Sequence, residues 1–164
     1  MTEASARFSL PFILAGQAQK ELFHNEALAR VDALLHAAVE GVAAAPPAAP
    51  AVGACWIVGA GAAGEWAGQA DAIAAWTDGG WRFIAPKPGT RVWNQAQGLW
   101  IHWNGAGWSD GSLPASSIRI GGEKVVGARQ PAIASPSNGT IIDAEGRAAI
   151  TQIIVALRTH GMIH

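Results

Sequence analysis

The 164-residue sequence has no tyrosine and one cysteine, Cys55. A single thiol excludes an intrachain disulfide framework and any cysteine-cluster zinc site. Cys55 stands beside Trp56-Ile57-Val58, where a small core residue is expected rather than a reactive thiol. Charge is scarce too. Eleven Lys and Arg face twelve Asp and Glu, 14% of the chain against about a quarter in ordinary domains, so part of the surface is expected to be covered in an oligomer. The basic residues are scattered, and without a clustered positive field no nucleic-acid partner is expected. Phe8 to Ala15 is too short to span a bilayer and is broken by Pro11, so no membrane insertion is expected. Met1-Thr2-Glu3-Ala4 lacks the basic and apolar regions of a secretory signal, which predicts a chain made in the cytoplasm without a signal peptide.

Catalytic constellations are equally sparse. His24 and His36 lie too far apart to share a helix face as a metal pair, and no H-x-x-x-H spacing occurs. His102 lies among tryptophans, where a stacked or hydrogen-bonded histidine is expected. In the tryptophan-rich region the carboxylates are Glu65, Asp71, Asp78 and Asp110. Nothing singles out Glu65 with Asp71 as the paired carboxylates of a glycosidase. No catalytic residue, metal or cofactor is assigned. Gly59-Ala60-Gly61-Ala62-Ala63-Gly64 matches a dinucleotide-binding fingerprint, but Glu65-Trp66-Ala67-Gly68 follows where a helix N-terminus would have to meet the phosphates. A glycine-rich hairpin loop is expected there.

What the chain does contain divides into three parts: 1–45, 46–112 and 113–164. In the first, an extended segment leads to a helix expected over Gln17 to Val42, since Ala, Leu, Glu, Gln and Lys dominate and no proline interrupts. Leu28, Val31 and Leu35 recur at spacings of three and four, continuing to Ala38 and Val42. A seam so short is marginal alone, so it packs either on its own β domain or on a partner subunit. Ala43 to Pro50, with Pro46-Pro47, reads as a stiff linker.

The middle part holds all eight tryptophans, and its short strand-like runs are Cys55–Val58, Ile73–Trp76, Trp81–Ile84, Arg91–Trp93 and Leu99–Trp103. Trp76 and Trp81 bracket Asp78-Gly79, and Trp103 and Trp108 bracket Asn104-Gly105, as in tight hairpins with cross-strand indoles. Alternation puts Leu99, Ile101 and Trp103 on one face, Trp100 and His102 on the other. Trp76, Trp81, Trp103 and Trp108 are the candidates for stacking on sugar rings; the alternative is that they fill the core. In the last part, runs at Ser117–Ile120 and Lys124–Gly127 precede an extended connector at Gln130 to Thr140. Asp143 then caps a helix to Thr159 or His160, with Gly161 placed to end it. Its stripe of Ile150, Ile153, Ile154 and Leu157 makes it a core strap or an oligomerisation element. The expected fold is α+β: an N-terminal helix, a small antiparallel tryptophan-rich meander or barrel, and a C-terminal helix.

One series of motifs adds to this reading. Leu10 to Lys20, His24-Asn25-Glu26-Ala27-Leu28 and Val31-Asp32 are followed by Pro46-Pro47, Trp56-Ile57-Val58 and Gly64-Glu65-Trp66-Ala67-Gly68. Ala75-Trp76, Asp78-Gly79 and Trp81-Arg82-Phe83 then complete it. Over roughly residues 8 to 110 the chain resembles a domain-of-unknown-function family found in tail and head-spike proteins of prophages and gene transfer agents. Val125 to Gln130 and Asp143 to Ile163 are similar to terminal segments of phage structural proteins. The resemblance implies a non-enzymatic virion component: spike, fibre or tail adaptor. It also implies other particle proteins as partners, assembly on a virion, and contact with cell-surface polysaccharide. A homo-oligomer, with a trimer favoured, is the expected state. The alternatives are a carbohydrate-binding module and a small glycan-active enzyme using Glu65 or Asp71.

Overall fold

The structure, a computed structural model, describes residues 3–14, 16, 20–109, 111–135, 137, 143–159 and 162–163. Two compact units result, Met1–Leu113 and Pro114–His164. The fold is α+β.

In the first unit, helix α1 (Lys20–Leu34) is followed by two very short strands, β1 (Ala38–Val39) and β2 (Val42–Ala43). Then come β3 (Cys55–Val58), β4 (Ile73–Thr77), β5 (Gly80–Ile84), β6 (Arg91–Asn94) and β7 (Leu99–His102). One sheet has the order β1-β6-β7 and the other β2-β3-β4-β5. Pairing is antiparallel except at β1 on β6 and β2 on β3, which are parallel.

Those parallel pairs correct the expected helix to Val42. Ala38–Val39 and Val42–Ala43 are strand, and the chain steps from one sheet to the other through Glu40-Gly41. The Glu40 amide donates to the Cys55 carbonyl at 2.8 Å, and the Ile57 amide to the Gly41 carbonyl at 2.9 Å. A helix continued to Val42 would leave those sheet groups unpaired, at a cost of about 1–3 kcal/mol each when buried. The helix stops because His36 turns to φ 47 and Arg7 fills the carbonyls behind it. Leu35 therefore lies beyond α1, and the break expected between 45 and 46 is no boundary between units, because both sides feed the same sheets. The helix start expected at Gln17 lies outside the described residues.

Both faces of the four-stranded sheet are covered. Ala33, Ala37, Val39, Cys55, Ile57, Ile73, Ala75, Val92 and Ile101 form the main core, drawn from α1, the turn after it and both sheets. On the opposite face Val58, Trp66 and Ala74 are buried, with Trp56, Trp81 and Phe83 packed on them.

The second unit has a hairpin of β8 (Ile118–Ile120) and β9 (Glu123–Val126), then helix α2 (Ala144–Thr159). Asp143 caps α2: its carboxylate accepts the Gly146 amide at 2.8 Å, as a residue at that position should. Gln130 bridges to Ile163 in parallel, and the Arg158 guanidinium donates to the Ile133 carbonyl at 2.7 Å. The stops expected at His160 and Gly161, like Asn138-Gly139 in the connector, lie outside the described residues. Of the stripe on α2, Ile154 is buried, Leu157 half-buried, and Ile150 and Ile153 exposed.

Candidate functional site

The tryptophans sort into three groups by strand alternation. Trp56 on β3 and Trp76 and Trp81 on β4 and β5 share the face of Ala74, because Trp56 is registered with Ala74 and Trp76 with Trp81. The loop between β3 and β4 folds Trp66 beneath them, on a three-residue 3-10 turn, Gly64–Trp66. Trp66 is fully buried and edge-on to Trp81, with ring centroids 5.0 Å apart at 86°. Trp56 lies 5.7 Å from Trp81, and Trp76 4.9 Å from it. The indole Nε1 of Trp66 has no hydrogen-bond partner, so apolar burial and ring contacts alone hold this side chain. The glycine-rich segment Gly59–Gly64 is thus the path by which Trp66 reaches the core.

Trp103 and Trp108 form the second group, bridged antiparallel, with centroids 5.8 Å apart. Trp108 packs on the main core and donates its Nε1 hydrogen to the Asp71 carbonyl at 2.9 Å. Asp71, in left-handed conformation at φ 68, and Glu65 are both exposed on the β3–β4 loop. At the Trp76–Trp81 hairpin the positive φ falls on Gly80 rather than within Asp78-Gly79, whereas Gly105 carries it in the other turn, as expected. All four predicted stacking candidates, Trp76, Trp81, Trp103 and Trp108, are half-buried.

The third group was not singled out from the sequence. Val92 and Ile101 point into the core, so Trp93 and Trp100 share the outer face of their sheet with Arg91 and His102. Trp93 and Trp100 meet edge-on at 5.4 Å. The Arg91 guanidinium lies 4.5 Å from the centre of the Trp100 ring, a cation–π contact. Trp100 is 42% exposed and is the one tryptophan of eight that counts as exposed. The alternation noted for Leu99–Trp103 was the available signal. An indole, a guanidinium and an imidazole on one flat face can cover an apolar ring while donating hydrogen bonds at its edge.

A second feature is the groove between the N-terminal segment, α1 and the β4–β5 sheet, of about 1240 Å³. Asp32 is among the residues that line it. It is only 4% exposed, yet its carboxylate accepts the Ser5 hydroxyl at 2.6 Å and the backbone amides of Arg7 and Phe8 at 2.9 and 2.7 Å. Arg7 in turn donates to the carbonyls of Asp32, Ala33, Leu35 and His36, satisfying the end of α1. Gly53 permits this clasp. At φ +87 it lies so close that a Cβ would meet Ala6 at 3.0 Å. Farther along, the Asn25 side chain pairs with both backbone groups of Ile13, at 2.9 and 3.0 Å. Glu26 joins Arg82 on β5 at 2.6 Å and Arg30 at 3.0 Å. Partial burial opposes ionisation of Glu26, but hydrogen bonds from Arg82 and Arg30 outweigh it and hold its pKa below the ordinary 4.5. Burial pushes the Cys55 thiol, also lining the groove, up to about 11, so it is a protonated packing group at neutral pH.

The predicted seam on α1 is turned the other way. Leu28 is half-buried, while Val31 and Leu35 are exposed, because Asp32 and Ala33 are the buried positions of the helix. Among the described residues no group of three or more His, Cys, Asp or Glu gathers as metal ligands, and no helix is long and apolar enough to cross a membrane.

None of the curated proteins matches the chain. A family model does match, over residues 24–109, which takes in Asn25, Glu26, Asp32, Arg82 and all eight tryptophans. The chain therefore belongs to the family described as a protein of unknown function, DUF2793.

Proposed function

We propose that this protein is a non-enzymatic structural component of a phage- or gene-transfer-agent-like particle, a spike, fibre or tail adaptor. It assembles as a homo-oligomer, a trimer in the favoured form, and with other particle proteins. One observation carries the reading: a run of bare apolar side chains along α1 and the segment before it. Phe23 is 81% exposed, and Leu14, Leu22, Val31 and Leu34 are exposed with it. Apolar surface of this extent is ordinarily covered by another protein. The resemblance to tail and head-spike proteins supplies the kind of assembly. Sedimentation of particles from a producing strain tests the reading. The chain should travel with DNA-filled particles, and a Leu22→Ser, Phe23→Ser variant should stay in the supernatant. A wild-type chain left in the supernatant while particles form normally would refute the proposal.

The exposed Trp100, with Trp93 and Arg91 beside it, supports a second reading, a carbohydrate-binding module contacting cell-surface polysaccharide. Indole fluorescence titrated with purified capsular polysaccharide should change for the wild type and for Trp76→Phe, but not for Trp100→Ala. A Trp100→Ala variant whose fluorescence still responds as the wild type does would remove that platform from consideration.

A further inference from the structure

The outer face of the β6–β7 pair carries a cation with no anion to meet. Arg7, Arg30, Arg82, Arg119 and Arg158 each donate to a carbonyl or a carboxylate of the protein. Arg91 is exposed, and among the described residues it has neither a hydrogen-bond acceptor nor an ion-pair partner. It rests instead on the Trp100 ring, 4.5 Å away, and a π face attracts the charge while leaving the N–H fork open. His102 stands opposite Arg91 in the strand register, as Trp100 does opposite Trp93. Glu40, at the end of β1, does not neutralise this group. It lies level with Gln95, four residues along the chain from Arg91, and accepts the Gln95 side-chain amide at 3.1 Å. The platform is also held from below and from the side. Val92 and Ile101 are buried beneath it. Beyond β7, the His102 amide donates to the Ser109 hydroxyl and the Ser109 amide to the His102 carbonyl, each at 2.9 Å.

We propose that this face binds a carboxylate-bearing polysaccharide, a polymer containing uronic acids, and that Arg91 selects it over neutral glycans. The inference rests on the carbohydrate-binding reading of Trp100 and names its sugar class. A guanidinium fork matches a carboxylate through two parallel hydrogen bonds. The ring that bears the carboxylate has an apolar C–H face, and the 42% exposed indole of Trp100 offers the flat surface to cover it. A sheet face touches only one side of its ligand, so a single sugar acid gains little there. A polymer presents the same group repeatedly and gains more. Single-stranded nucleic acid also combines aromatic stacking with cations, but its phosphates need a track of basic residues. Along β6 and β7 Arg91 is the sole lysine or arginine.

Calorimetric titration of the full chain with polygalacturonate, alginate and hyaluronan, each also in carboxyl-reduced form, tests this. The salt is set at about 0.15 M, where loose charge attraction is screened. At least one acidic polymer should bind roughly tenfold tighter than its reduced form, the strength of one charge-assisted pair. Arg91→Gln should erase that preference and leave the weaker binding of the reduced form unchanged, whereas Trp100→Ala should weaken both. Arg91 makes no hydrogen bond within the fold, so Arg91→Gln should unfold at the wild-type urea midpoint. Equal affinity for acidic and reduced polymers, or a preference that survives Arg91→Gln, would overturn the proposal while leaving Trp100 as a sugar platform. No binding to any of these polymers would overturn it as well, and the carbohydrate reading would then stand or fall on the capsular titration. Tighter binding of oligothymidylate than of any glycan would overturn both.

Discussion

A buried carboxylate is costly unless its oxygens are filled, and Asp32 is filled by three donors from residues 5–8. Asp32→Ala should leave Ser5 and two amides unpaired and cost on the order of 3 kcal/mol, read as a lower urea midpoint in tryptophan fluorescence. A variant as stable as wild type would show that the clasp contributes nothing. Trp66→Ala should cost a similar 3–5 kcal/mol, since the cavity sits under Trp56 and Trp81, and should abolish the near-ultraviolet signal of the coupled indoles. Cys55 sets an alkaline limit. Between pH 9 and about 11 the unfolded thiol ionises while the folded one does not. The unfolded chain therefore binds fewer protons, and stability falls as pH rises through that window, by on the order of 2–3 kcal/mol. Cys55→Ala should flatten that limb of the pH profile. The burial of Cys55 was legible from its apolar neighbours, whereas the roles of Asp32 and Trp66 were not. Asp32 lies inside the Val31-Asp32 motif, but apolar spacing drew attention to Val31, and only the fold brings residues 5–8 within reach.

Local chemistry was readable wherever neighbours in sequence are neighbours in space. Asp143 with Gly146, and the indoles on either side of Asp78-Gly79 and Asn104-Gly105, meet across a few residues, so spacing specified them. Asp143→Ala should cost about 1 kcal/mol of α2 stability, seen as faster amide exchange in its first turn. The end of α1 was misread because Ala37, Ala38 and Val39 suit a helix locally, whereas the partners that draw them into strand, Trp93 and Asn94, lie far along the chain. Docking of α1 on β5 carries its own pH signature. The Glu26 carboxylate is stabilised when folded, so its contribution is present above about pH 4.5 and lost as pH falls through the lower folded value. Glu26→Gln should remove that acid limb, and an unaltered acid titration would assign it elsewhere.

Over the whole chain, the pattern of apolar runs pointed correctly to α+β and to a fold crowded with indoles, and it divided the chain into three parts. Two units appear instead, Met1–Leu113 and Pro114–His164, and the main core is drawn from both sheets of the first. Residues 1–113 made alone should therefore unfold in a single cooperative transition with its indole signal intact; a broad, non-cooperative melt would contradict that division. The parallel pairing of β1 with β6 also matters during synthesis. The ribosome must release Trp93 and Asn94 before Ala38 and Val39 can find them, and by then α1 and the turn after it have left the tunnel with Ala33, Ala37 and Val39, buried in the finished core, still uncovered. In that interval the nascent chain is at its most adhesive. Translation arrested before Trp93 should yield chains held by chaperones, and arrest with Asn94 well clear should yield chains released from them.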